Sequence, residues 1–285
     1  MLKLNALIAG STGYIGVQLV KLLSKHRYVK IKYLCGNSSV GKKISYFDKS
    51  LKNLPKIVKF KKEYLSEVDI IFTALPNGEA QDISKYLLKH NCLIDLAADF
   101  RLEKISDYLK WYGQKHRAKK YVKKSIYGLS EINKNKIKNF NLIACPGCYP
   151  TSILLPLIPL VKYNLIDAND IIIDSKSGYS GAGRNVHNVY KNKNLNESIK
   201  AYGVGFHRHN SEIAQELNKV TKSKIKFTFT PHLTPMFRGI LSTIYIKNKS
   251  NRSINYLHNF LRKVYKKNKF VKILNKNTFI STNDV

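Results

Sequence analysis

Two cysteines, Cys145 and Cys148, are the residues of this chain best suited to covalent chemistry, and they stand in the stretch NLIACPGCYPTSILLPL. Their spacing is compatible with a redox pair, with half of a zinc site, or with one nucleophile beside an unreactive thiol. A redox pair normally opens an early helix of a small thioredoxin-like domain, and a zinc site needs a second Cys or His pair. Neither context is present, so we predict a single nucleophile and no metal site.

Cys148 is the better candidate for the nucleophile. It follows Pro-Gly and precedes the helix-like segment SILLPLIPLVKYN, in which Pro156 and Pro159 should kink or shorten the helix. A sulfur at a helix N-terminus is stabilised as the thiolate by the helix dipole. Such a thiolate attacks acyl carbon, and together with a dinucleotide site it indicates hydride chemistry on an acyl-enzyme.

A nucleophile of this kind needs a proton carrier, and the stretch HRHNSEI supplies two histidines. We expect a helix to begin near Asn210, with His209 just before it and Glu212 one turn further on. A carboxylate in that place orients the imidazole and raises its pKa. His209 is therefore favoured over His207 as the proton carrier.

The turn GSTGYIG predicts a dinucleotide-binding site. Its glycines lie three apart between the apolar run LNALIAG and an amphipathic helix, where backbone N–H groups and the helix dipole bind pyrophosphate. The strand-like run YVKIKYLC is not followed by the acidic residue typical of NAD sites, but by Ser38, Ser39, Lys42 and Lys43, which favours NADP. The expected cofactor contacts in the turn are Gly10, Ser11, Thr12, Gly13, Tyr14, Ile15 and Gly16.

The elements that must position these residues change character along the chain. Strand-like and helix-like runs alternate from residue 4 to about residue 100, which predicts an α/β fold with a Rossmann-like parallel sheet over residues 1–147. In that sheet, Leu75 and Pro76 end a strand at the carboxyl edge, where the cofactor is expected. The runs DIIIDSKSG, KIKFTFTPHL and GILSTIYIK, with the helix-like SEIAQELNKV, predict a second, α+β catalytic domain over residues 148–285.

Composition excludes several classes of function. The 285 residues contain no apolar run long enough for a membrane span, and the chain reads as cytoplasmic. The net charge of +32 suggests a polyanion partner, but lysine is spread along the chain without an arginine-aromatic signature, so we predict no nucleic-acid partner. Cys35 and Cys92 lie in or beside strand-like runs and read as ordinary buried thiols.

A series of motifs identifies a family that this chain resembles. GSTGYIG, ADFRL, YGLSE, PGCYPT, SGYSGAGR, YGVGFHRHNSEI and TPHLTPMFRGIL occur in that order over residues 10–241. Together they look like the N-acetyl-gamma-glutamyl-phosphate reductases of arginine biosynthesis, with aspartate-semialdehyde dehydrogenase as a cousin. Ile240 stands where the cousin has a histidine, which favours the first family. The resemblance implies an NADP-dependent homo-oligomer in which Cys148 is the nucleophile and Cys145 is not required.

The same resemblance implies further site residues. A substrate with a phosphate and a carboxylate needs bidentate donors, and the candidates are Arg101 in ADFRL and Arg184 in SGAGR. His207 is a further expected substrate contact. The segment SGYSGAGR is rich in backbone N–H groups that can form an anion nest and approach the nicotinamide ring. We expect substrate contacts from Ser177 and Gly178 and cofactor contacts from Ser180, Gly181 and Gly183.

Two departures from the family pattern are present. Ser211 replaces a proline that would only preset a helical turn. Members of the family also continue beyond the position of Val285 with a Gly-Ala-rich segment that returns to the cofactor domain. Without that segment we expect exposed apolar surface and weaker cofactor binding. The alternative hypothesis is a truncated, inactive descendant that acts at most as a basic binding protein.

Overall fold

A computed structural model describes residues 3–183, 198–221, 224–249 and 251–284 of the chain. Contacts divide it into two compact units, residues 1–146 and 147–285. Each unit has its own sheet.

The first unit is built on a seven-stranded sheet whose strands are all parallel, as predicted. The spatial order is β3-β2-β1-β4-β5-β7-β6, so the direction of winding reverses between β1 and β4. In doubly wound sheets ligands bind at the carboxyl ends of the strands beside this reversal. The strands are β1 (Leu4–Ala9), β2 (Val29–Cys35), β3 (Ile57–Val58), β4 (Ile70–Thr73), β5 (Cys92–Asp95), β6 (Ser125–Tyr127) and β7 (Leu142–Ala144).

Helices cover both faces of this sheet, which explains the continuous apolar runs of its central strands. Along β1, Leu7 and Ala9 belong to one buried cluster, whereas Ala6 and Ile8 belong to another that includes Val17 and Val20 of the first helix. The helices of the unit are α1 (Tyr14–Ser24), α2 (Glu79–Ser84), α3 (Ile105–Tyr112), α4 (Lys119–Val122) and α5 (Ser130–Ile137). The helix-like pattern of the sequence GEAQDISKYLLKHN continues to residue 91, but α2 ends at Ser84.

The second unit contains a four-stranded mixed sheet in the order β11-β8-β10-β9. β8 and β10 are parallel, and β11 and β9 run antiparallel to them, so this unit has the α+β character that was predicted. The elements are α6 (Cys148–Lys162), β8 (Ile171–Ser177), β9 (Lys200–Ala201), α7 (His209–Asn218), β10 (Phe227–Leu233), β11 (Ile240–Tyr245) and α8 (Ile254–Tyr265).

The helix α6 corrects one expectation, because it runs for 15 residues with both prolines inside it. A proline in a helix removes the N–H that would bond the carbonyl four residues earlier. Pro159 therefore deprives the Leu155 carbonyl of its helical donor, and the hydroxyl of Tyr265 in α8 donates to that carbonyl instead. Tertiary packing replaces the lost hydrogen bond, and α6 continues to Lys162.

Candidate active site

Cys148 is the first residue of α6 and is exposed. The N-cap is Gly147, which has no side chain to accept hydrogen bonds from the first N–H groups of the helix. Cys148 therefore lies at a helix N-terminus whose N–H groups are not capped by a side chain of the N-cap residue. The other thiols differ sharply. Burial raises the pKa of Cys145 to about 11 and that of Cys35 to about 12, which keeps both protonated at neutral pH.

Gly147 is enclosed by two side chains of α7. Its N–H donates to Oε1 of Glu212 over 2.7 Å. A Cβ on Gly147 would lie 2.5 Å from Nε2 of His209 and 3.0 Å from Oε2 of Glu212, so the imidazole and the carboxylate occupy the space that any side chain would need. His209 and Glu212 are thereby gathered against the residue that directly precedes Cys148.

Both α7 residues are held in the interior. His209 is 6% exposed and Glu212 is fully buried. The helix begins at His209, one residue earlier than expected, so both side chains project from its first turn toward α6, against which α7 packs. The three predicted catalytic residues therefore lie close together within the second unit.

His207 has a fixed tautomer. The backbone N–H of His209 donates to Nδ1 of His207 over 3.2 Å, so the neutral ring carries its proton on Nε2. Burial, followed by the positive charge of Arg208, lowers the pKa of His207 to about 4. The ring is therefore neutral at pH 7 and is suited to donate a hydrogen bond rather than to carry protons.

Two tyrosines that sequence reasoning missed complete this cluster. The hydroxyl groups of Tyr149 and Tyr202 are 3.0 Å apart, and the hydroxyl of Ser177 hydrogen-bonds to both. The ring of Tyr149 lies edge-on to those of His207 and His209, with centroids at 5.6 and 5.9 Å. Burial raises the pKa of both phenols, so they remain protonated donors. The sequence could have indicated both tyrosines, because Tyr149 directly follows Cys148 and Tyr202 is the first residue of the motif YGVGFHRH.

The segment after β8 does not form the predicted anion nest at its start. The N–H groups of Gly178, Tyr179 and Ser180 donate to the carbonyls of Gly239, Met236 and Phe237 over 2.9, 3.1 and 2.9 Å. These three donors are committed to the chain itself, although Gly181 and Gly183 have open space beside their Cα atoms. Arg184 lies outside the described residues.

In the first unit, the glycine-rich turn has the shape of a phosphate site. Gly10 has φ of +81°, and a Cβ there would lie 2.3 Å from the Ala74 carbonyl; a Cβ on Gly16 would lie 2.1 Å from the Gly10 carbonyl. The fold itself therefore requires both residues to be glycine. A Cβ on Gly13 would meet only the Gly10 carbonyl, at an ordinary 3.7 Å. The space beside the Cα of Gly13 is therefore open.

The surroundings of this turn also fit a dinucleotide. α1 begins at Tyr14 without a side-chain cap and without an acidic residue in its first turn, which leaves its positive end available to a phosphate. Ser11 has another role, since its N–H and its hydroxyl both donate to the Cys35 carbonyl over 3.1 Å. Beyond β2, Ser38 and Lys42 are exposed, whereas Ser39 is buried.

The loop after β4 is fixed by a buried carboxylate. Leu75 and Pro76 open this loop at the carboxyl edge of the sheet, beside the reversal of the winding. Asp99 accepts hydrogen bonds from the N–H groups of Gly78 and Ala80 over 2.6 and 3.2 Å. The loop is therefore set before any ligand binds.

Arg101 is buried in the first unit. Its Nε donates to the Cys145 carbonyl over 2.7 Å, and its Nη2 donates to the Leu96 carbonyl over 2.9 Å. The structure thus directs two nitrogens of this predicted substrate ligand at the protein backbone.

Within the described residues, no cluster of His, Cys, Asp or Glu is arranged to hold a metal, and no helix is long and apolar enough to cross a membrane.

Comparisons with known proteins define the class first. Residues 5–140 match a model described as the semialdehyde dehydrogenase NAD binding domain, and residues 148–285 match the semialdehyde dehydrogenase dimerisation domain. Aspartate semialdehyde dehydrogenase II from Vibrio cholerae has the same fold, with a TM-score of 0.68 at 15% identity over 99% of this chain and 84% of that one. The enzyme from Candida albicans, solved with NADP, gives 0.63 at 20% identity over 92% and 76%. The chain is an oxidoreductase of the semialdehyde dehydrogenase class.

Sequence relatives then give the family. The N-acetyl-gamma-glutamyl-phosphate reductase of Thermoanaerobacter pseudethanolicus is 44% identical over 98% of this chain and 81% of its own length. A probable chloroplastic reductase of the same name from Arabidopsis thaliana is 41% identical over 98% of this chain and 70% of its length. The chain belongs to the N-acetyl-gamma-glutamyl-phosphate reductase family, as its motifs predicted.

Proposed function

We propose that this protein catalyses the NADPH-dependent reduction of N-acetyl-L-glutamyl 5-phosphate to N-acetyl-L-glutamate 5-semialdehyde, with release of phosphate. The observation that carries the proposal is the placement of Cys148 at the start of α6, directly after a glycine enclosed by His209 and Glu212. Because Cys148, His209 and Glu212 lie close together, the structure favours an active enzyme over the alternative hypothesis of an inactive descendant.

Each residue has one role in the chemistry. The Cys148 thiolate, stabilised at the helix N-terminus, attacks the acyl carbon; a C–S bond forms, the C–O bond to phosphate breaks, and a thioester remains. NADPH, when bound, would be the source of hydride, and the thioester held by Cys148 is the group that accepts it. His209 gives a proton to the resulting oxyanion and takes it back as the C–S bond breaks, which releases the aldehyde and regenerates the thiolate.

Glu212 orients this machinery from both sides. One carboxylate oxygen accepts the Gly147 N–H, and the other lies near the same space as Nε2 of His209. The neutral His207, held by its Nδ1 contact, is suited to donate from Nε2 to a substrate oxygen. Residues with perturbed pKa values in such a cluster are commonly functional, which supports this assignment of roles.

For the cofactor, NADPH is proposed over NADH. Ser38 and Lys42 are exposed just beyond β2, where a 2′-phosphate is recognised in folds of this type, and residues 36–47, all of them described, include no Asp or Glu that could accept hydrogen bonds from the ribose hydroxyls. Lys42 lies over the ring of Tyr46, with its Nζ 4.8 Å from the centroid, which orients its charge. Gly13 leaves room for the pyrophosphate.

The test uses the reverse reaction. NADPH formation at 340 nm is measured from the semialdehyde, NADP and phosphate, for the wild type, Cys148→Ser and the matched control Cys145→Ser. Phosphate-dependent turnover should disappear in the first variant and persist in the second, because only Cys148 is placed as a thiolate. Turnover that survives in Cys148→Ser would exclude this residue as the nucleophile, and a wild type without turnover would contradict the proposed reaction.

We further propose that two copies associate through the outward face of the second sheet. That face carries Ile172, Leu241 and Tyr245, which are 48, 39 and 58% exposed. Alternate residues of β8, β10 and β11 share one face, so the three side chains form one surface. Ile172→Lys should shift the sedimentation of the protein from dimer to monomer, and an unchanged sedimentation coefficient would contradict this interface.

A cytoplasmic location stays a prediction.

A further inference from the structure

The loop after β4 lies directly beside the glycine-rich turn of the first unit. The N–H of Ala74 donates to the carbonyl of Ala9 over 2.8 Å. The carbonyl of Ala74 is so close to Gly10 that a Cβ on this glycine would be 2.3 Å from it, and the same Cβ would be 3.2 Å from the side chain of Leu75. Residues 74–77 therefore border the carboxyl ends of β1 and β4, where sheets of this winding bind dinucleotides.

Gly78 follows these residues, and both of its backbone groups are held. Its N–H donates to Oδ1 of Asp99 over 2.6 Å, and its carbonyl accepts from Nη2 of Arg117 over 2.6 Å. Gly78 is buried and has φ of +99°, a left-handed conformation that favours glycine. The end of the loop is thus held from two sides by one carboxylate and one guanidinium.

Asp99 is in turn fixed by buried partners. It is fully buried, and its Oδ1 also accepts from Nε2 of Gln81 over 3.0 Å and from the hydroxyl of Tyr108 over 2.7 Å. Its backbone carbonyl accepts from Nε2 of His116 over 2.7 Å, because Nδ1 of that ring already accepts a backbone N–H. A rotation of the carboxylate away from Gly78 would break these side-chain hydrogen bonds as well, so the carboxylate stays in place.

We propose that Asp99 and Arg117 are positioning residues for the cofactor, which hold Gly78 and thereby keep residues 74–77 in place beside the glycine-rich turn before NADPH binds. This inference rests on the proposed function, since it takes NADPH as the cofactor of the first unit. A loop that is already ordered loses less entropy when a ligand binds. Release of Gly78 should therefore weaken NADPH binding rather than slow the chemistry.

The first measurement is amide hydrogen exchange of residues 74–80, with and without NADPH. In the wild type, NADPH should slow the exchange of this peptide, because the cofactor lies against the loop. In Asp99→Asn, an amide nitrogen replaces one of the two oxygens that accept from Gly78 and Ala80. The peptide should then exchange faster without ligand, by about fivefold or more. A wild type that binds NADPH but shows no protection of this peptide would overturn the proposal.

Fluorescence titration then gives the dissociation constant of NADPH. It should rise by about fivefold or more in Asp99→Asn, while kcat at saturating cofactor changes by less than about twofold. The matched control is Asp69→Asn, because Oδ2 of Asp69 accepts the N–H of Asn5 over 2.7 Å at the opposite, amino edge of the sheet. A control that weakens NADPH binding as much as Asp99→Asn would point to a general loss of stability and would contradict the positioning role.

A second variant covers the case in which Asp99→Asn does not fold. Arg117 is exposed, and Arg117→Met removes its hydrogen bond to the Gly78 carbonyl. The NADPH dissociation constant should rise by about threefold or more, but it should not change in Arg27→Met, which removes the same charge from another exposed position of the unit. Equal affinities of both variants and the wild type would refute the inference.

Failure of the proposed function would be visible separately. It would appear as turnover in Cys148→Ser, or as a wild type that binds NADPH without phosphate-dependent turnover. Neither result alters the titrations or the hydrogen exchange, which report on the loop alone.

Discussion

Asp95 allows a quantitative prediction about stability. Its carboxylate is fully buried, and Oδ2 has no hydrogen-bond partner among the described residues. Burial, and then the negative charge of Asp99, raise its pKa from the ordinary 3.8 to about 6. A group with a higher pKa in the native than in the unfolded chain binds more protons when folded, so its contribution to stability is complete below pH 3.8 and is lost as the pH rises through 6.

The size of the loss follows from the two pKa values. Since they differ by about 2, ionisation of Asp95 lowers the free energy of unfolding by about 3 kcal/mol above pH 7, of which about 1 kcal/mol is lost between pH 5 and pH 7. Asp95→Asn removes the titration. Its amide brings a burial cost of about 1–3 kcal/mol, but that cost is independent of pH. The stability of Asp95→Asn relative to the wild type should therefore rise by about 1 kcal/mol from pH 5 to pH 7.

Urea unfolding followed by the fluorescence of Trp111 measures this difference, because the only tryptophan of the chain lies in α3, in the same unit as Asp95. Asp82→Asn is the control. Hydrogen bonds from Arg117 and then from Lys85 lower the pKa of Asp82 to about 2, so its contribution is constant between pH 5 and pH 7. Parallel pH profiles for the wild type and Asp95→Asn would show that Asp95 titrates normally and would refute the reasoning.

Three further predictions concern the two sites. At pH 7 iodoacetamide should modify Cys148 and leave Cys145 intact, because a thiol with a pKa of about 11 is ionised to only about one part in 10⁴; peptide mass mapping decides, and equal labelling contradicts it. Gly147→Ala should lower kcat/KM by about 100-fold or more, since its Cβ displaces His209, and normal kinetics would refute the geometry. Gly13→Ala should fold normally by circular dichroism but bind NADPH more weakly in fluorescence titrations, whereas unchanged affinity would show that no ligand approaches there.

Local patterns predicted the first half of the cofactor unit well. The strands β1, β4 and β5 are short apolar runs, β2 alternates apolar and polar residues, and Gly10 and Gly16 of the turn after β1 are required by the close approach of backbone that the structure shows. The elements between residues 101 and 146 were not predicted. They are short, α5 has no buried residue to create a periodic pattern, and the pairing of β7 between β5 and β6 depends on contacts distant in sequence.

The candidate site shows the same limit. Residue types and spacing led to the prediction of Cys148, His209 and Glu212, and each of them lies in the first turn of a helix that the sequence pattern indicates. Residue types and spacing do not show toward which groups a side chain or a backbone N–H points. Arg101 stays a predicted substrate ligand, and nothing in the sequence pattern indicates that two of its nitrogens donate to backbone carbonyls. Likewise the N–H groups of Gly178, Tyr179 and Ser180 donate to carbonyls of residues 236–239, a pairing that the sequence pattern does not indicate.

The hydrogen bond from Tyr265 to the Leu155 carbonyl has a consequence for the birth of the protein on the ribosome. Chains emerge from the N-terminus, and domains begin to fold as they appear. The helix α6, which carries Cys148, emerges early. The carbonyl of Leu155 in this helix is bound by the hydroxyl of Tyr265, which is synthesised 110 residues later. The first unit can thus mature during translation, whereas the nucleophile reaches its final setting only when α8 has left the exit tunnel.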